Sequence, residues 1–506
     1  MPRYKPTNFD QITMIPVDFK SQLSPGTFEY ILDYLIENKL DLSIFNNRYK
    51  NDATGATAYH PKILLKVILM AYSRGITSSR DIEKLCRENI IFMALSRDSR
   101  PHFTTIASFV SKLPMEMEDL FAGVLTLCDE MGLIGKNMFA MDGCKIPSNA
   151  SKEWSGTKET FERKAGKMKK VIHKLLKKHR DEDDNDDPPD PDTRKAEAKQ
   201  IDTINQKVGK IEKWLKQNED RRGKRNKIVQ SNITDNDSAK MKTSSGGVIQ
   251  GFNGVALDDD KHQVILAADA IGQNDERPTV QPLVEKTRAF FTEDPFKTAK
   301  LSADTGFCDE ANLKFLYGEN IDAYIPDKNF RQRDERFQDA DKHYPKERKK
   351  KTDKFHPEDF IVDPVAETVT CPAGKKMWLK SGNPKAFGSP AIQFKAHVSD
   401  CKSCAFRRRC LRKENQPTPR TFVWFKTHLP EHQPYTKRMI KKIDTEEGRR
   451  EYSKRLGAIE PVFANITSTL GLRRFSLRGK AKVTAQWLAF CLVHNIGKIQ
   501  RYGMIG

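Results

Sequence analysis

Residues 136–143, KNMFAMDG, give the clearest indication of the fold. It is a short run of apolar residues that ends in an acid, Asp142, and a glycine, as is typical of a buried β-strand. Residues 298–306, TAKLSADTG, have the same pattern and place Asp304 before Gly306. The sequence therefore predicts two buried strands, each with an aspartate at its end.

Further strands and helices follow the first of these segments. They are, in order, strands at 246–260 and 261–271, a helix at 280–291, the strand that ends in Asp304, a helix at 311–318 and a strand at 321–326. The two β-rich runs are separated by an Asp/Lys turn, which predicts a hairpin. The order of elements predicts an α/β fold with a five-stranded mixed sheet flanked by helices.

The two aspartates are the first candidate site. In a sheet with strand order 3-2-1-4-5, strands one and four are parallel neighbours, so Asp142 and Asp304 would lie side by side where ligands bind. Two adjacent carboxylates repel each other unless a cation neutralises them, and Mg²⁺ accepts carboxylate, water and phosphate oxygens. Each aspartate taken alone is also compatible with an ordinary turn residue.

A third acid is needed to hold two cations about 3.5–4 Å apart for phosphoryl displacement, and Glu460 is the candidate. The residues around it are helical in period, with Leu456, Ile459 and Phe463 on one face. Pro461 is unfavourable inside a helix but suits its first turn, which predicts that a helix begins or kinks at Glu460. The alternative is an ordinary first-turn glutamate that interacts with the helix dipole.

Length and composition restrict the class of protein. The chain has 506 residues, of which 88 are Lys or Arg and 68 are Asp or Glu, so its formal net charge is +20. A continuous run of about 18 apolar residues is absent, which argues against a transmembrane helix. The N-terminus lacks an apolar signal region, which argues against secretion. The positive balance favours a polyanion as partner.

Residues 1–133 are predicted to form an all-α domain. His60-Pro61 opens an apolar run that ends at Gly75, and Ser78 caps the next helix. Short helices joined by tight turns, with arginines among them, are compatible with a helix-turn-helix-like DNA-binding unit. The alternative is a plain helical bundle with a basic surface.

Residues 151–240 are highly charged and predict an inserted arm. A basic amphipathic segment at 164–180 precedes an acidic, proline-containing run at 181–192, and a second helical stripe spans 201–215. We expect an antiparallel helical hairpin with an acidic tip. It is either a solvated arm without function, or an arm that follows DNA phosphates or pairs protomers.

Four of the nine cysteines lie close together, and they predict a metal site. Cys401 and Cys404 have the C-x2-C spacing of a zinc knuckle, and Cys371 and Cys410 would complete a tetrahedral Zn²⁺ site. His397 is a fallback ligand, and free thiols or a disulfide are the alternatives. The other five cysteines are interpreted as small core residues: Cys86, Cys128, Cys144, Cys308 and Cys491.

Five motifs together resemble bacterial insertion-sequence transposases of the DDE class, whose catalytic domain is RNase H-like. They are HPKILLKVILMAYSRGITSSRDIEKLCREN followed by PHFTTIASFV, MDGCKIPSNASK, ADTGFCDEANL, GAIEPVFANITSTLGLRRFSLRG and AQWLAFCLVHNIGKI. The resemblance runs over nearly the whole chain and leaves out the arm at 151–240. It implies that Asp142, Asp304 and Glu460 are the catalytic, metal-binding acids.

The resemblance also implies DNA-binding roles near Glu460. Tyr452 and Arg455 fill positions of a Tyr and an Arg that precede the glutamate, with one extra residue before it relative to the commonest spacing. Tyr452 would stack on a base and Arg455 would bind a phosphate; the alternative for both is an exposed amphipathic helix. Thr467 stands where the family has a lysine. The candidate substitutes for that lysine are Arg473 and Arg474.

The implied organisation has four parts. Residues 1–133 bind DNA, 134–326 form the first part of the catalytic core, 327–430 form a basic, Cys-rich zinc-binding insertion, and 431–506 carry Glu460 and the closing helices. The resemblance implies Mg²⁺ (or Mn²⁺) as catalytic cofactor and Zn²⁺ as structural cofactor. It places the protein in the bacterial cytoplasm, associated with the nucleoid.

The function that follows is that of a DNA transposase. It would bind the terminal inverted repeats of an insertion sequence, cleave the 3′ ends and join them to target DNA by a two-metal mechanism. Holding two ends together implies a homodimer or a higher assembly on double-stranded DNA. The alternatives are a metal-dependent DNA nuclease without strand transfer, and a non-catalytic DNA-binding protein derived from a transposase.

Overall fold

The structure is a computed structural model that describes residues 17–49, 57–183, 190–222, 228–243, 246–337, 354–363, 366–381, 385–386, 389–411, 416–425 and 434–503. Three predictions fall wholly or partly outside these residues. They concern the absence of a signal in the first 16 residues, the acidic tip of the arm at 184–189, and the basic stretch at 338–353.

Helices and strands alternate along most of the described chain. The helices are α1 (Phe28–Asn38), α2 (Pro61–Ser73), α3 (Ser79–Glu88), α4 (Ile90–Ser96), α5 (Phe103–Lys112), α6 (Met117–Glu130), α7 (Lys158–Asp183), α8 (Pro191–Gln217), α9 (Val280–Phe290), α10 (Glu310–Gly318), α11 (Val398–Lys402), α12 (Arg407–Cys410), α13 (Pro434–Ile443), α14 (Glu446–Ala464) and α15 (Lys480–Tyr502). The strands are β1 (Met138–Pro147), β2 (Ser155–Gly156), β3 (Arg221–Arg222), β4 (Ile228–Val229), β5 (Ser231–Asn232), β6 (Ala239–Lys242), β7 (Val248–Asp259), β8 (Ile265–Ile271), β9 (Lys300–Ala303), β10 (Ala323–Tyr324), β11 (Ile361–Asp363), β12 (Thr368–Thr370), β13 (Lys376–Ser381), β14 (Lys385–Ala386), β15 (Ser389–Lys395) and β16 (Thr421–Phe425).

The central sheet contains all five predicted strands in the expected order. β8 pairs with β7, β7 with β1, β1 with β9 and β9 with β10, which in chain order is 3-2-1-4-5. The pairing of β1 with β7 and of β7 with β8 is antiparallel, whereas β1 and β9, and β9 and β10, are parallel. A sixth strand, β6, was not predicted. It pairs with the first residues of β7, 248–251, ahead of the part of β7 that pairs with β8. The mixed α/β sheet is therefore confirmed.

The first strand is longer than predicted. β1 continues through Asp142 to Pro147 because it stays paired with β7 over this whole length. Its pairing with β9 ends earlier, at Met141 and Ala303. Asp142 thus lies where β1 separates from β9, and it does not lie at the end of a strand.

The N-terminal helices do not form a separate core. Helices α1, α2 and α6 pack against α15, at the other end of the chain, and their buried residues belong to the same hydrophobic core as the central sheet. Pro61 begins α2 and the Ser78 hydroxyl caps α3, as the sequence predicts. Residues 1–133 are therefore helical where described, but they are joined to the sheet through α15.

The sequence predicts a helix that begins or kinks at Glu460, and helix α14 corrects the first of these two alternatives. It begins after the N-cap Thr445 and contains Pro461 in its interior. A proline leaves the carbonyl four residues earlier without its donor, and here Gln263 Nε2 donates to the Gly457 oxygen at 3.1 Å. The helix therefore continues through the proline and ends in a π-helical segment at Asn465–Thr469.

The arm at 151–240 contains the predicted helical hairpin. Helices α7 and α8 pack against each other, and Phe161 and Trp214 make an edge-to-face contact at their base. Salt bridges link the two helices further along, including Lys169 to Glu212 and Lys178 to Glu197, both at 2.6 Å. These exposed pairs add little stability, so the buried aromatic pair anchors the hairpin.

The Cys-rich segment forms a second sheet that the sequence analysis did not predict. β11, β12, β13, β15 and β14 are hydrogen-bonded in this order, and β16 pairs with β15. A small separate core fills it, formed by Phe360, Val369, Ile392, Phe394 and Phe422 among others.

Within the described part of the chain, no helix has the length and apolar character that a membrane span requires.

Candidate active site

Asp142 and Asp304 lie next to each other on the central sheet. Met141 on β1 is in register with Ala303 on the parallel strand β9, so the two aspartates are the next residues on neighbouring strands. Both side chains lie near one guanidinium group. Arg455 Nη1 donates to Asp142 Oδ2 at 2.7 Å, and Arg455 Nη2 lies 3.9 Å from Asp304 Oδ1. The predicted acid pair is therefore present as a pair of neighbours.

Arg455 reaches the acids from α14, which packs across β1, β7 and β9. Its side chain is only 7% exposed and that of Asp142 22%, whereas that of Asp304 is 40% exposed. Burial raises the pKa of Asp142, and the charge and hydrogen bond of Arg455 oppose that rise. The arginine thus supplies the positive charge that two neighbouring carboxylates require.

Glu276 is a third acid at this place, and the sequence analysis missed it. A Cβ atom built on Gly143 would lie 2.9 Å from Glu276 Oε1, and one built on Gly306 would lie 2.8 Å from Glu276 Oε2. The carboxylate therefore fills the space above two glycines that follow the paired aspartates. Burial raises the pKa of Glu276, with smaller contributions in the same direction from the charges of Asp142 and Asp304.

The strand order explains how Glu276 arrives there. β8 is antiparallel to β7 and β7 is antiparallel to β1, so β8 runs parallel to β1. The loop after β8 consequently leaves the sheet at the same edge as Asp304. The signal in the sequence was the acidic segment at 274–276, directly after a predicted strand, but it lacks the strand–Asp–Gly pattern of the other two sites.

Glu460 lies on a different face of α14 from Arg455, the residue that contacts Asp142. It follows Arg455 by five residues, which at about 100° per residue places it about 140° further around the helix. Glu460 is exposed, whereas the nearby residues Ile459 and Val462 are buried. As the described side chains stand, no group of three or more His, Cys, Asp or Glu residues could hold a metal ion.

The other predicted DNA-binding residues differ in accessibility. The Tyr452 ring makes an edge-to-face contact with Phe330, so it is partly buried against the protein. Arg473 and Arg474 are exposed after the end of the π-helical segment. The Thr467 hydroxyl, at the position of the family lysine, donates to the Phe463 carbonyl at 2.7 Å. Only the two arginines are therefore free to reach an external ligand without rearrangement.

The four predicted zinc ligands line a single small cavity. Cys371, Cys401, Cys404 and Cys410 all contribute to its wall, and all four are free thiols. Burial raises the pKa of Cys410, and the other three cysteines add to the rise. The side chains are close enough to interact, although they are not arranged as a coordination sphere. His397 accepts a hydrogen bond from the Cys401 amide through its carbonyl.

Comparison with known families gives two matches. Residues 370–500 match the family described as "Transposase DDE domain", and residues 17–112 match the family described as "Transposase domain (DUF772)". The first match contains the four cysteines and Glu460, whereas Asp142 and Asp304 lie between the two matches. No curated protein and no solved structure matches the chain. DDE transposases act on DNA and generally use divalent metals such as Mg²⁺. The two matches confirm the recognition of this chain as an insertion-sequence transposase of the DDE class.

Proposed function

We propose that this protein is the transposase that binds the terminal inverted repeats of its insertion sequence, cleaves their 3′ ends and joins them to target DNA. The observation that carries the proposal is the adjacency of Asp142 and Asp304 on neighbouring parallel strands. The 3-2-1-4-5 sheet with helices packed on it supports an RNase H-like catalytic core, interrupted by the arm and by the Cys-rich sheet.

The donor chemistry of the acid pair fits Mg²⁺ or Mn²⁺. Both prefer carboxylate oxygens, and Arg455 already stands in as a cation between the two aspartates. When bound, the metal ions would activate the attacking oxygen and stabilise the leaving oxygen.

The residues of the chain have distinct proposed roles. Asp142 and Asp304 would bind the metal ions next to the reacting phosphate. Glu460 is the third acid implied by the family motif. Glu460 must turn toward the aspartates to act, and two features beside it weaken the regular helix: Pro461 and the π-helical segment that follows. Segments of this kind occur frequently at functional sites.

Binding of DNA is proposed for surfaces around this site. Arg473 and Arg474 are placed to contact phosphates, and Tyr452 would stack on a base after leaving Phe330. Arg455, once released from Asp142, would bind a phosphate at the acid pair. The N-terminal helices and the arm would recognise the terminal repeats, and a dimer or higher assembly would hold two ends together.

Zinc is proposed as a structural cofactor of the Cys-rich sheet. The four thiols that line one cavity supply the number and type of ligands that a closed zinc site uses. The ion would tie the turn at Cys371 to α11 and α12, since Cys401 is on α11, Cys410 is on α12 and Cys404 lies in the loop between them. This would fix a basic surface that includes Arg407, Arg408 and Arg409 close to DNA.

One observation favours a second function. Because Glu460 is exposed and Arg455 neutralises the acids, the arrangement also suits a DNA-binding protein that has lost catalysis. A nuclease that hydrolyses without joining would use the same acids. Incubation of the full chain with duplexes that carry the flanking terminal repeats, target DNA and Mg²⁺ separates these functions. We expect 3′-end nicks and joined products; nicks alone indicate a nuclease, and neither product indicates the non-catalytic protein.

A further inference from the structure

Glu276 has no role in either matched family segment, because it lies between them. We infer that Glu276 is a further acid of the active site, whose carboxylate helps to hold the divalent cation that Asp142 and Asp304 bind. The inference rests on the proposed function and names an additional residue of the same site.

The two glycines beside the paired aspartates give Glu276 its position. Gly143 directly follows Asp142, and Gly306 lies two residues after Asp304. The space that a side chain would occupy at each glycine is taken by one oxygen of the Glu276 carboxylate, at 2.9 and 2.8 Å from the respective Cβ positions. The carboxylate thus lies over β1 at Gly143 and over the turn after β9 at Gly306, so a larger residue at either glycine would displace it.

Asn253 on β7 fixes the orientation of this carboxylate. Its Nδ2 donates to Glu276 Oε1 at 2.6 Å. The asparagine is fully buried, yet among the described residues its Oδ1 has no hydrogen-bond partner. That oxygen also lies 2.9 Å from the Cβ position of Gly143. A buried polar atom without a partner is costly, and one that faces the acids indicates a ligand that the protein alone does not supply.

The charge balance points to the same ligand. Three carboxylates, those of Asp142, Asp304 and Glu276, influence one another here. Arg455 is in hydrogen-bond contact with only the first of them. A divalent cation would neutralise the remaining charge and would accept the free Asn253 oxygen, directly or through a water molecule. Glu460, on the outer face of α14, makes no such contact in the described structure.

Mn²⁺ titration of the full chain without DNA tests the inference by calorimetry. Glu276→Gln keeps an oxygen that accepts from Asn253 and removes only the charge, so the fold should be retained. We expect this variant to bind Mn²⁺ at least about tenfold more weakly than the wild type, as loss of a group that tunes a metal site does. Glu285→Gln is the matched control, because it removes an exposed negative charge from α9. This variant should bind Mn²⁺ as tightly as the wild type.

The comparison variants separate this inference from the proposed function. Asp142→Asn and Asp304→Asn should abolish Mn²⁺ binding; if they bind normally, the proposed acid site itself is wrong. If they lose binding while Glu276→Gln binds as tightly as the wild type, only the role of Glu276 is overturned. The thermal midpoint without metal checks folding, and it should rise in Glu276→Gln because a buried repulsive charge is removed. Should that variant fail to fold, Asn253→Asp replaces it, and unchanged Mn²⁺ affinity there would also overturn the inference.

Discussion

Arg455 Nη1 donates to Asp142 Oδ2 at 2.7 Å, and this ion pair joins α14 to β1, the first strand of the central sheet. The two residues are 313 positions apart. Their pairing keeps a mostly buried carboxylate neutralised where a metal ion is proposed to bind. In this state Arg455 therefore holds the Asp142 carboxylate in position. It would compete with a metal ion for that carboxylate.

We expect Arg455→Met to destabilise the protein in the absence of metal. Removal of one partner of a buried ion pair leaves the other charge uncompensated, at a cost of about 3 kcal/mol. Mg²⁺ should recover part of this loss, because the cation can then bind the free Asp142 without competition. Unfolding in urea with and without Mg²⁺ measures both effects.

Lys454→Met is the matched control for this prediction. Lys454 is the neighbouring residue, about half exposed, and it pairs with Glu451 at 2.9 Å. The buried Glu451 keeps its ion pair with Lys300 at 3.2 Å, so loss of the half-exposed Lys454 should cost less than about 1 kcal/mol. The double variant Arg455→Met/Asp142→Asn should be more stable than Arg455→Met alone. Equal stabilities of the double and single variants would show that the buried charge is not the cause.

His494 gives the fold a dependence on pH. Its Nε2 donates to the Gln263 carbonyl at 2.8 Å and its Nδ1 accepts from Asn465 Nδ2 at 2.9 Å, which requires the neutral ring. Burial lowers the pKa of His494 from 6.5 to about 4. Because the folded pKa is depressed, the contribution to stability is complete above pH 6.5 and is lost as the pH falls toward 4.

The loss over this range should amount to roughly 3 kcal/mol, because each pKa unit corresponds to about 1.4 kcal/mol. Unfolding free energies measured between pH 7 and pH 4 test the prediction. His494→Gln should weaken the slope of stability against pH between these values. A slope equal to that of the wild type would assign the dependence to other groups.

The purified protein should contain about one Zn²⁺ per chain, held by the four cysteines of the second sheet. Cys401→Ser should lower the zinc content and make residues 354–425 more sensitive to proteolysis, since ligand loss opens the module. Cys86→Ala, in the N-terminal helices, should leave the zinc content unchanged. Metal analysis by mass spectrometry decides the matter, and a folded, zinc-free wild type would contradict the prediction.

Five strands of the central sheet could be predicted from the sequence because they are apolar runs, although the end of β1 could not. Asp142 and Asp304 followed from the same pattern, since parallel neighbouring strands bring their next residues together. The helical hairpin of the arm was also predictable from its two apolar stripes. These features depend on local periodicity, which a single sequence displays.

Other features depend on partners far away in the chain. Pro461 indicates a helix start, but Gln263 supplies the missing hydrogen bond from a turn about 200 residues earlier, so the helix continues. Glu276 sits in an irregular loop, and only the glycines at 143 and 306 make room for it. The short strands of the Cys-rich sheet carry many charged residues and lack a strong alternation, so they gave no clear signal.

The catalytic role of the acid pair is tested by cleavage and joining of terminal-repeat duplexes in Mg²⁺, with Asp304→Asn compared with the wild type. Asp322→Asn, directly before β10 and at the opposite end of the parallel strands from Asp304, is the control with an equal loss of charge. We expect the wild type and Asp322→Asn to nick the 3′ ends and join them to target DNA, whereas Asp304→Asn binds the ends and produces neither product. Normal cleavage and joining by Asp304→Asn would show that Asp304 is not a catalytic acid.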